Sequence, residues 1–109
     1  MSVDFVEGKG PVLDAISDSS DIKRLDPKQH KPRIEATYET VRLCRDKLSP
    51  DKALIGFAGS PWTVATYMIE GGASKNYAKV KSWAYKDEQS FNTLINIITT
   101  ATIDHLSAQ

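Results

Sequence analysis

The sequence has very little cysteine, no excess charge of either sign and no long hydrophobic run. Its single cysteine, Cys44, excludes an internal disulfide framework and a cysteine-based zinc site, and it fits a reducing cytoplasm. Fourteen basic and fourteen acidic side chains cancel, which argues against a surface built for nucleic acid or an anionic membrane. No apolar run approaches the roughly 18 residues of a membrane span. We therefore expect a cytoplasmic protein with neither nucleic acid nor membrane as a partner.

The remaining composition is that of an ordinary globular protein. The chain has 109 residues, of which 40% are hydrophobic and 26% are charged. This length supports one modest hydrophobic core. We therefore expect one domain, or part of one.

The first third of the chain predicts a hairpin followed by a polar stretch. Residues Val3 to Val6 alternate weakly, and the apolar pair Val12 and Leu13 follows a turn that contains two glycines, which predicts a small hairpin. The polar residues from Ser17 to Pro32 predict little regular structure beyond a first helical turn at Asp26-Pro27.

Apolar residues between Arg33 and Leu48 recur at helical spacing. They are separated by four, three, three and four residues, which places them on one stripe of a helix: Ile34, Tyr38, Val41, Cys44 and Leu48. We predict a helix over Arg33 to Leu48, with Cys44 filling the core and not acting as a nucleophile.

The segment from Leu54 to Gly72, LIGFAGSPWTVATYMIEGG, joins strand, turn and helix signals without a break. Its nearly continuous apolar start, Leu54 to Ala58, predicts a strand buried on both faces, as in a parallel sheet. Ser60 and Pro61 then predict a helix start, and the helix should end near Glu70, where one of the two following glycines adopts the left-handed conformation.

Two further helices are predicted after Gly72. Ser74 is a candidate cap for the first, in which Tyr77, Val80, Trp83 and Ala84 share a face. A break at Lys86-Asp87 precedes the last helix, whose broad apolar stripe begins at Phe91 and continues beyond Leu94 and Ile98.

The predicted strand lacks neighbours in this chain. A strand that is buried on both faces needs flanking parallel strands, and the sequence offers only the weak hairpin. Either the strand pairs with its copy in a second chain, or the 109 residues are an excerpt from a larger protein of βα repeats. The excerpt is the interpretation that we favour.

The segment LIGFAGSPWTVATYMIEGG closely resembles the uroporphyrinogen decarboxylase family, whose pattern near its third barrel strand is PLIGF-x-G-x-P-W/F-T-L-x-[TS]-Y-M/L-[VI]-EGG. FVEGKGP near the start resembles the glycine-rich hairpin of the family, and the helices fall at the family's spacings. The residues that depart from the family pattern, such as Val64 and Ala53, do not stand at functional positions of the family. The resemblance therefore covers essentially the whole chain.

The resemblance implies an α/β fold: about a third of a (β/α)8 TIM barrel, mainly helical with one buried strand and a short hairpin. It also implies a partial domain over residues 1–109 of a cytoplasmic, homodimeric enzyme. The family converts uroporphyrinogen into coproporphyrinogen by removing the carboxyl groups of four acetate side chains, in the pathway of haem and porphyrin biosynthesis. It uses no metal and no organic cofactor. Protonation of a pyrrole ring provides the electron sink, and arginines pair with substrate carboxylates.

Two substrate-binding residues follow from the resemblance. Tyr67 stands at the substrate-pocket tyrosine of the family, and Phe57 at a pocket-lining aromatic beside the macrocycle. The alternative for Tyr67 is a helix tyrosine with a buried ring and an exposed hydroxyl, and for Phe57 it is packing in the barrel core. Glu70 is also shared with the family, but a carboxylate is disfavoured at a helix carboxyl end, and the sequence assigns it no role.

The family's other functional segments have no counterpart in these residues. Its R-x-A-G-R-Y loop, its F-S-D-I aspartate, a later serine and a carboxy-terminal histidine are absent from the sequence. The catalytic groups are therefore expected outside residues 1–109, and we predict that this chain alone is inactive.

Two other functions remain open from the sequence. One is a segment of a corrinoid-linked methyltransferase of the same superfamily, whose zinc ligands lie in segments absent here. The other is a free-standing helical module whose strand is completed in a dimer. A monodisperse, cooperatively unfolding species supports the module, whereas a molten or aggregating chain supports an excerpt with uncovered strand edges.

Overall fold

A computed structural model of the chain describes residues 3–8, 10–26 and 30–109. It is mainly helical. Its elements are β1 (Val3–Val6), β2 (Gly10–Leu13), a 3-10 helix (Asp21–Arg24), α1 (His30–Lys47), α2 (Pro61–Glu70), α3 (Ala78–Lys86) and α4 (Glu88–Ala108). None of the described helices combines the length and the apolar character that crossing a membrane requires.

The amino-terminal hairpin is confirmed. β1 and β2 pair antiparallel, with Val3 opposite Leu13 and Val6 opposite Gly10. Gly10 has a φ of 76°, a left-handed conformation that glycine adopts without steric cost, and this explains the glycines in the turn. The helical turn predicted at Asp26-Pro27 lies partly outside the described residues, which stop at Asp26 and resume at His30.

The predicted bounds of α2 are confirmed at both ends. The Ser60 hydroxyl accepts a hydrogen bond from the Thr63 N–H, and Pro61 occupies the first helical position, where no donor is needed. Gly71 closes the helix with a φ of 80° and donates its N–H to the Tyr67 carbonyl. Local residue chemistry therefore accounts for the whole extent of this helix.

Two of the other helices begin at residues different from those predicted, and α3 is one of them, since it begins at Ala78 and Ser74 does not directly precede it. α1 begins at His30 instead of Arg33, because Pro32 in the first turn removes no helical hydrogen bond. α4 begins as predicted, after the break at Lys86-Asp87, and the Asp87 side chain caps it by accepting from the Ser90 N–H.

The hydrophobic core lies among α2, α3, α4 and the segment that follows the hairpin. Leu94 and Val80 are completely buried, and Trp83 donates its indole N–H to the Ser90 hydroxyl at 2.7 Å. The buried apolar residues are Ile16, Ile22, Ala65, Met68, Ile69, Val80, Trp83, Phe91, Leu94 and Ile98. The apolar faces of α2, α3 and α4 therefore meet in one cluster, and Tyr77, which was predicted on the face of α3, precedes that helix and is exposed.

The buried strand predicted at Leu54 to Ala58 is not formed in this chain. The residues carry no strand assignment, and the side chains of Ile55 and Phe57 are 86% and 81% exposed. The physical reason is the lack of a partner: in the described part of the chain, the sheet contains β1 and β2 alone. The prediction of one buried strand is therefore wrong for this structure.

The core position predicted for Cys44 is also wrong. The cysteine lies on the apolar stripe of α1, but it is exposed. Ile34, Tyr38 and Val41 on the same stripe are half-buried, because α1 makes limited contact with α4. The periodicity correctly predicted the helix, but not the degree to which its apolar face is covered.

Candidate functional site

An open cavity of about 520 Å³ lies between α1, α2, α4 and the loop that precedes α2. Its walls are largely apolar, and four ionisable side chains, Arg24, Asp26, Arg33 and His105, line it. The apolar and small lining residues are Leu25, Ile34, Phe57, Ala58, Gly59, Val64, Met68, Ile97, Ile98, Ala101 and Thr102. Apolar walls with a few polar groups are typical of a small-molecule site.

Phe57, one of the two predicted substrate-binding residues, lines this cavity. Its backbone is held by the side chain of Gln109, which accepts from the Phe57 N–H at 2.9 Å and donates to the Phe57 carbonyl at 2.8 Å. A neighbouring strand residue would bond the same two groups in a β-ladder. The Gln109 amide therefore replaces one strand neighbour at this position. It approaches so closely that a Cβ added at Gly56 would lie 2.9 Å from Gln109 Oε1.

His105 connects Gln109 to α1. Gln109 Nε2 lies 2.6 Å from His105 Nε2, and His105 Nδ1 lies 3.2 Å from the Tyr38 hydroxyl. Because the Gln109 nitrogen can only donate, His105 Nε2 accepts and the ring proton is on Nδ1. The chain of hydrogen bonds from Tyr38 to Phe57 fixes the carboxyl end of α4 against the loop before α2.

Tyr67, the second predicted substrate-binding residue, lies elsewhere. It is on the last turn of α2, its side chain is 41% exposed, and it is not among the residues that line the cavity. Tyr67 is therefore partly accessible. The structure therefore does not bring Tyr67 and Phe57 together into one cavity.

The amino terminus of α2 is occupied by its own side chains. The Ser60 hydroxyl accepts from Thr63 N at 3.2 Å and lies 2.9 Å from the Thr63 hydroxyl. A Cβ added at Gly59 would lie 3.1 Å from Val64, so a side chain there would crowd the first turn. The small residues Gly59 and Ser60 thus allow the chain to turn into the helix.

The charge of Arg24 at the cavity rim is balanced by acidic neighbours. Its guanidinium contacts the carboxylates of Asp14 and Asp21. A hydrogen bond from the Ser17 backbone N–H, followed by one from Arg24, holds the pKa of Asp21 below its ordinary value. Within residues 3–8, 10–26 and 30–109, no group of three histidine, cysteine, aspartate or glutamate side chains is placed to bind a metal ion.

Glu70 has a structural partner that the sequence did not predict. Its Oε1 accepts from the backbone N–H groups of Lys79 at 3.0 Å and Val80 at 3.1 Å, in the first turn of α3. Ser74, the predicted cap, accepts from Tyr77 N, which precedes the helix. The sequence did contain a signal for this contact, because a carboxylate is disfavoured at the carboxyl end of α2. The same negative charge is favoured at the amino end of another helix.

Comparison with known proteins gives a consistent result. The family profile described as uroporphyrinogen decarboxylase (URO-D) matches residues 1–109. The uroporphyrinogen decarboxylase of Rhodospirillum rubrum is 45% identical over 107 residues, which cover 98% of this chain and 31% of the relative. That of Nautilia profundicola is 46% identical over 106 residues, covering 96% of this chain and 31% of the relative.

The same name recurs in a further relative. The uroporphyrinogen decarboxylase of Campylobacter jejuni is 46% identical over 100 residues, which cover 91% of this chain and 29% of the relative. The chain thus spans about 30% of the length of the curated relatives that it matches. Because the family profile extends over every residue from 1 to 109, the chain belongs to the uroporphyrinogen decarboxylase family.

Proposed function

We propose that residues 1–109 are a segment of a uroporphyrinogen decarboxylase. This carboxy-lyase removes carbon dioxide from the four acetate side chains of uroporphyrinogen and yields coproporphyrinogen, in porphyrin and haem biosynthesis. The observation that carries the proposal is the family match over the whole chain, together with about 45% identity to relatives of that name. The proposal includes a cytoplasmic, homodimeric parent enzyme that works without a metal or an organic cofactor.

The proposal assigns residues 1–109 to one incomplete (β/α)8 barrel domain. In the complete barrel, Leu54 to Ala58 form a strand between two neighbours. The exposed apolar side chain of Ile55 supports this assignment, since neighbouring strands and helices would cover it. The pairing of Phe57 with the Gln109 amide supports it as well, because that backbone already accepts a ladder-like partner.

Substrate binding within this segment is assigned to Tyr67 and Phe57. Loss of carbon dioxide leaves the bonding electron pair on the former acetate carbon. Protonation of the adjacent pyrrole ring allows the ring to accept that electron pair. Tyr67 would donate its hydroxyl near the reacting acetate, and Phe57 would pack against the macrocycle. Both side chains are accessible in the structure, as ligand-contacting groups must be.

A chimeric enzyme tests the proposal. Residues 1–109 replace the matching segment of the Rhodospirillum rubrum enzyme, and anaerobic conversion of uroporphyrinogen is followed by the appearance of coproporphyrinogen. We expect the chimera to be folded and active. Tyr67→Phe should lower kcat/KM by about tenfold or more if the hydroxyl contacts the reacting acetate. Tyr85→Phe is the matched control, because Tyr85 is 89% exposed on α3 and should leave kcat/KM unchanged.

A folded chimera without activity would contradict the proposed function, with circular dichroism and a cooperative thermal transition establishing the folded state. An active chimera in which Tyr67→Phe behaves like Tyr85→Phe would contradict the role of Tyr67 alone. The 109-residue chain by itself should release no coproporphyrinogen above a blank. Turnover by the isolated chain would show that its own residues suffice for the chemistry, against our assignment of the catalytic groups to other segments.

A further inference from the structure

The hydrogen bonds of Glu70 connect α2 to α3. Oε1 of Glu70 receives the N–H groups of Lys79 and Val80, the second and third residues of α3. The residue before α3, Tyr77, has a φ of 55° and provides no side-chain cap. The initial N–H groups of a helix lack partners within it, and here the preceding helix supplies an acceptor.

The same end of α2 is also held by the last residue of β2 and the segment that follows it. The Gly71 carbonyl accepts from the Leu13 N–H at 2.9 Å, and the Met68 carbonyl accepts from the Ile16 N–H at 2.8 Å. A Cβ added at Gly71 would lie 3.3 Å from Ala15 Cβ, so the two segments are already close. The last turn of α2 is therefore fixed between residues 13–16 and α3.

Tyr67 belongs to this fixed turn. Its carbonyl accepts the Gly71 N–H at 3.0 Å, and its ring projects from the same turn as the Glu70 side chain. A displacement of the turn relative to α3 would therefore carry the tyrosine with it. In catalysis, small displacements of a contacting group cost rate, because the reacting geometry is narrow.

We propose that Glu70 is a positioning residue for decarboxylation. By accepting the Lys79 and Val80 N–H groups, it holds the last turn of α2, and with it the Tyr67 hydroxyl, in the geometry that the substrate needs. This inference rests on the proposed function. It does not require the negative charge, since a neutral carbonyl oxygen of the same reach can accept the same two hydrogen bonds.

The test uses the active chimera and a double-mutant cycle between Glu70 and Tyr67. Glu70→Ala should lower kcat/KM by about tenfold, while Glu70→Gln should remain within about twofold of the parent. In the Tyr67→Phe background, Glu70→Ala should change kcat/KM by less than about twofold, because the hydroxyl that it positions is absent. Glu88→Ala is the matched control: it removes a carboxylate in the first turn of α4 and should leave kcat/KM unchanged.

Three results would overturn the inference. One is an unchanged kcat/KM in Glu70→Ala. Another is a loss of equal size in the presence and absence of the Tyr67 hydroxyl, which a purely structural cap would produce. The third is a loss in Glu70→Gln as large as that in Glu70→Ala. Should the alanine variant fail to fold, Glu70→Asp replaces it, because it keeps the charge and shortens the reach. An inactive parent chimera refutes the proposed function, whereas an active chimera without coupling refutes this inference alone.

Discussion

Residues 32–60 and residues 61–108 both carry apolar stripes at helical spacing, yet their side chains end in different environments. In the second region, α2, α3 and α4 each contribute buried residues to one core. In the first region no side chain is buried, although α1 has 18 residues. An amphipathic pattern therefore predicts the helix, whereas burial of its apolar face requires another surface that packs against it.

The hydrogen bonds of the backbone also differ between these two regions. The first turns of α2, α3 and α4 are capped by Ser60, Glu70 and Asp87, and Gly71 closes the carboxyl end of α2. Among Leu54 to Ala58, a distant side chain, that of Gln109, supplies the two hydrogen bonds of Phe57. We infer that the stability of the 109-residue chain resides mainly in residues 61–108 and the segment that packs on them.

The largest expected effect comes from truncating the core. Leu94→Ala removes a completely buried side chain and should lower the free energy of unfolding by about 2–5 kcal/mol. Leu43→Ala on α1 is the matched control, since Leu43 is 43% exposed and should cost under about 1 kcal/mol. Urea unfolding followed by circular dichroism measures both. Equal losses in the two variants would remove the distinction between the two regions.

The next effect concerns the hydrogen bonds between α2 and α3. Glu70→Ala leaves the Val80 N–H without its acceptor next to a fully buried side chain, which should cost about 1–3 kcal/mol. Glu70→Gln should keep most of the stability that Glu70→Ala loses, because its amide oxygen can accept the same hydrogen bonds. Glu88→Ala, which removes a charge from a helix start without breaking a described hydrogen bond, should cost under about 1 kcal/mol. A Glu70→Ala variant as stable as Glu88→Ala would mean that water replaces the carboxylate.

The helix predictions succeeded where the decisive interactions are local. The bounds of α2 follow from Ser60, Pro61 and Gly71, and the break before α4 follows from Asp87. Each of these residues acts within a few positions of itself, so its effect is readable without knowledge of the fold. The hairpin was predictable for the same reason, since its turn brings neighbouring residues together.

The failures concern contacts between distant residues. The strand at Leu54 to Ala58 depends on neighbours that the sequence pattern cannot supply, and Cys44 is exposed because its face of the helix is not covered. The pairing of Gln109 with Phe57 and the bonds from Glu70 to α3 span 52 and up to 10 residues, respectively. Tyr67 and Phe57 were named through resemblance, and their role in substrate binding stays a prediction.

Amide hydrogen exchange provides a local test of the less packed region. The Phe57 N–H should exchange more slowly than those of Leu54 and Ile55, because Gln109 accepts its hydrogen bond. Gln109→Ala should remove that protection, while the exchange of the buried Leu94 amide should accelerate by no more than the loss of global stability requires. The loss of these two exposed hydrogen bonds should lower global stability by under about 1.5 kcal/mol. Persistent protection of Phe57 in the variant would show that another group pairs with this backbone.

The smallest expected effect is the pH dependence contributed by the cap of α4. Hydrogen bonds from Ser90, first through its side chain and then through its backbone N–H, hold the pKa of Asp87 below its ordinary value. A lowered pKa in the folded state means that the stabilisation is present above the unfolded-state pKa of about 4 and is lost as the pH falls through the folded-state pKa.

Asp87→Ala should therefore be less stable than the wild type at pH 7, and the difference should shrink below about pH 4. Asp87→Asn is the matched control, because its amide oxygen still caps the helix but does not titrate. The free energy of unfolding, measured from pH 2 to 7, separates the three proteins. If the stability difference between the wild type and Asp87→Asn stayed constant across that range, the Asp87 carboxylate would not be the titrating group. The acid sensitivity of the packed region would then have to arise from other carboxylates, such as Asp18 and Asp21, whose pKa values are also lowered by hydrogen bonds.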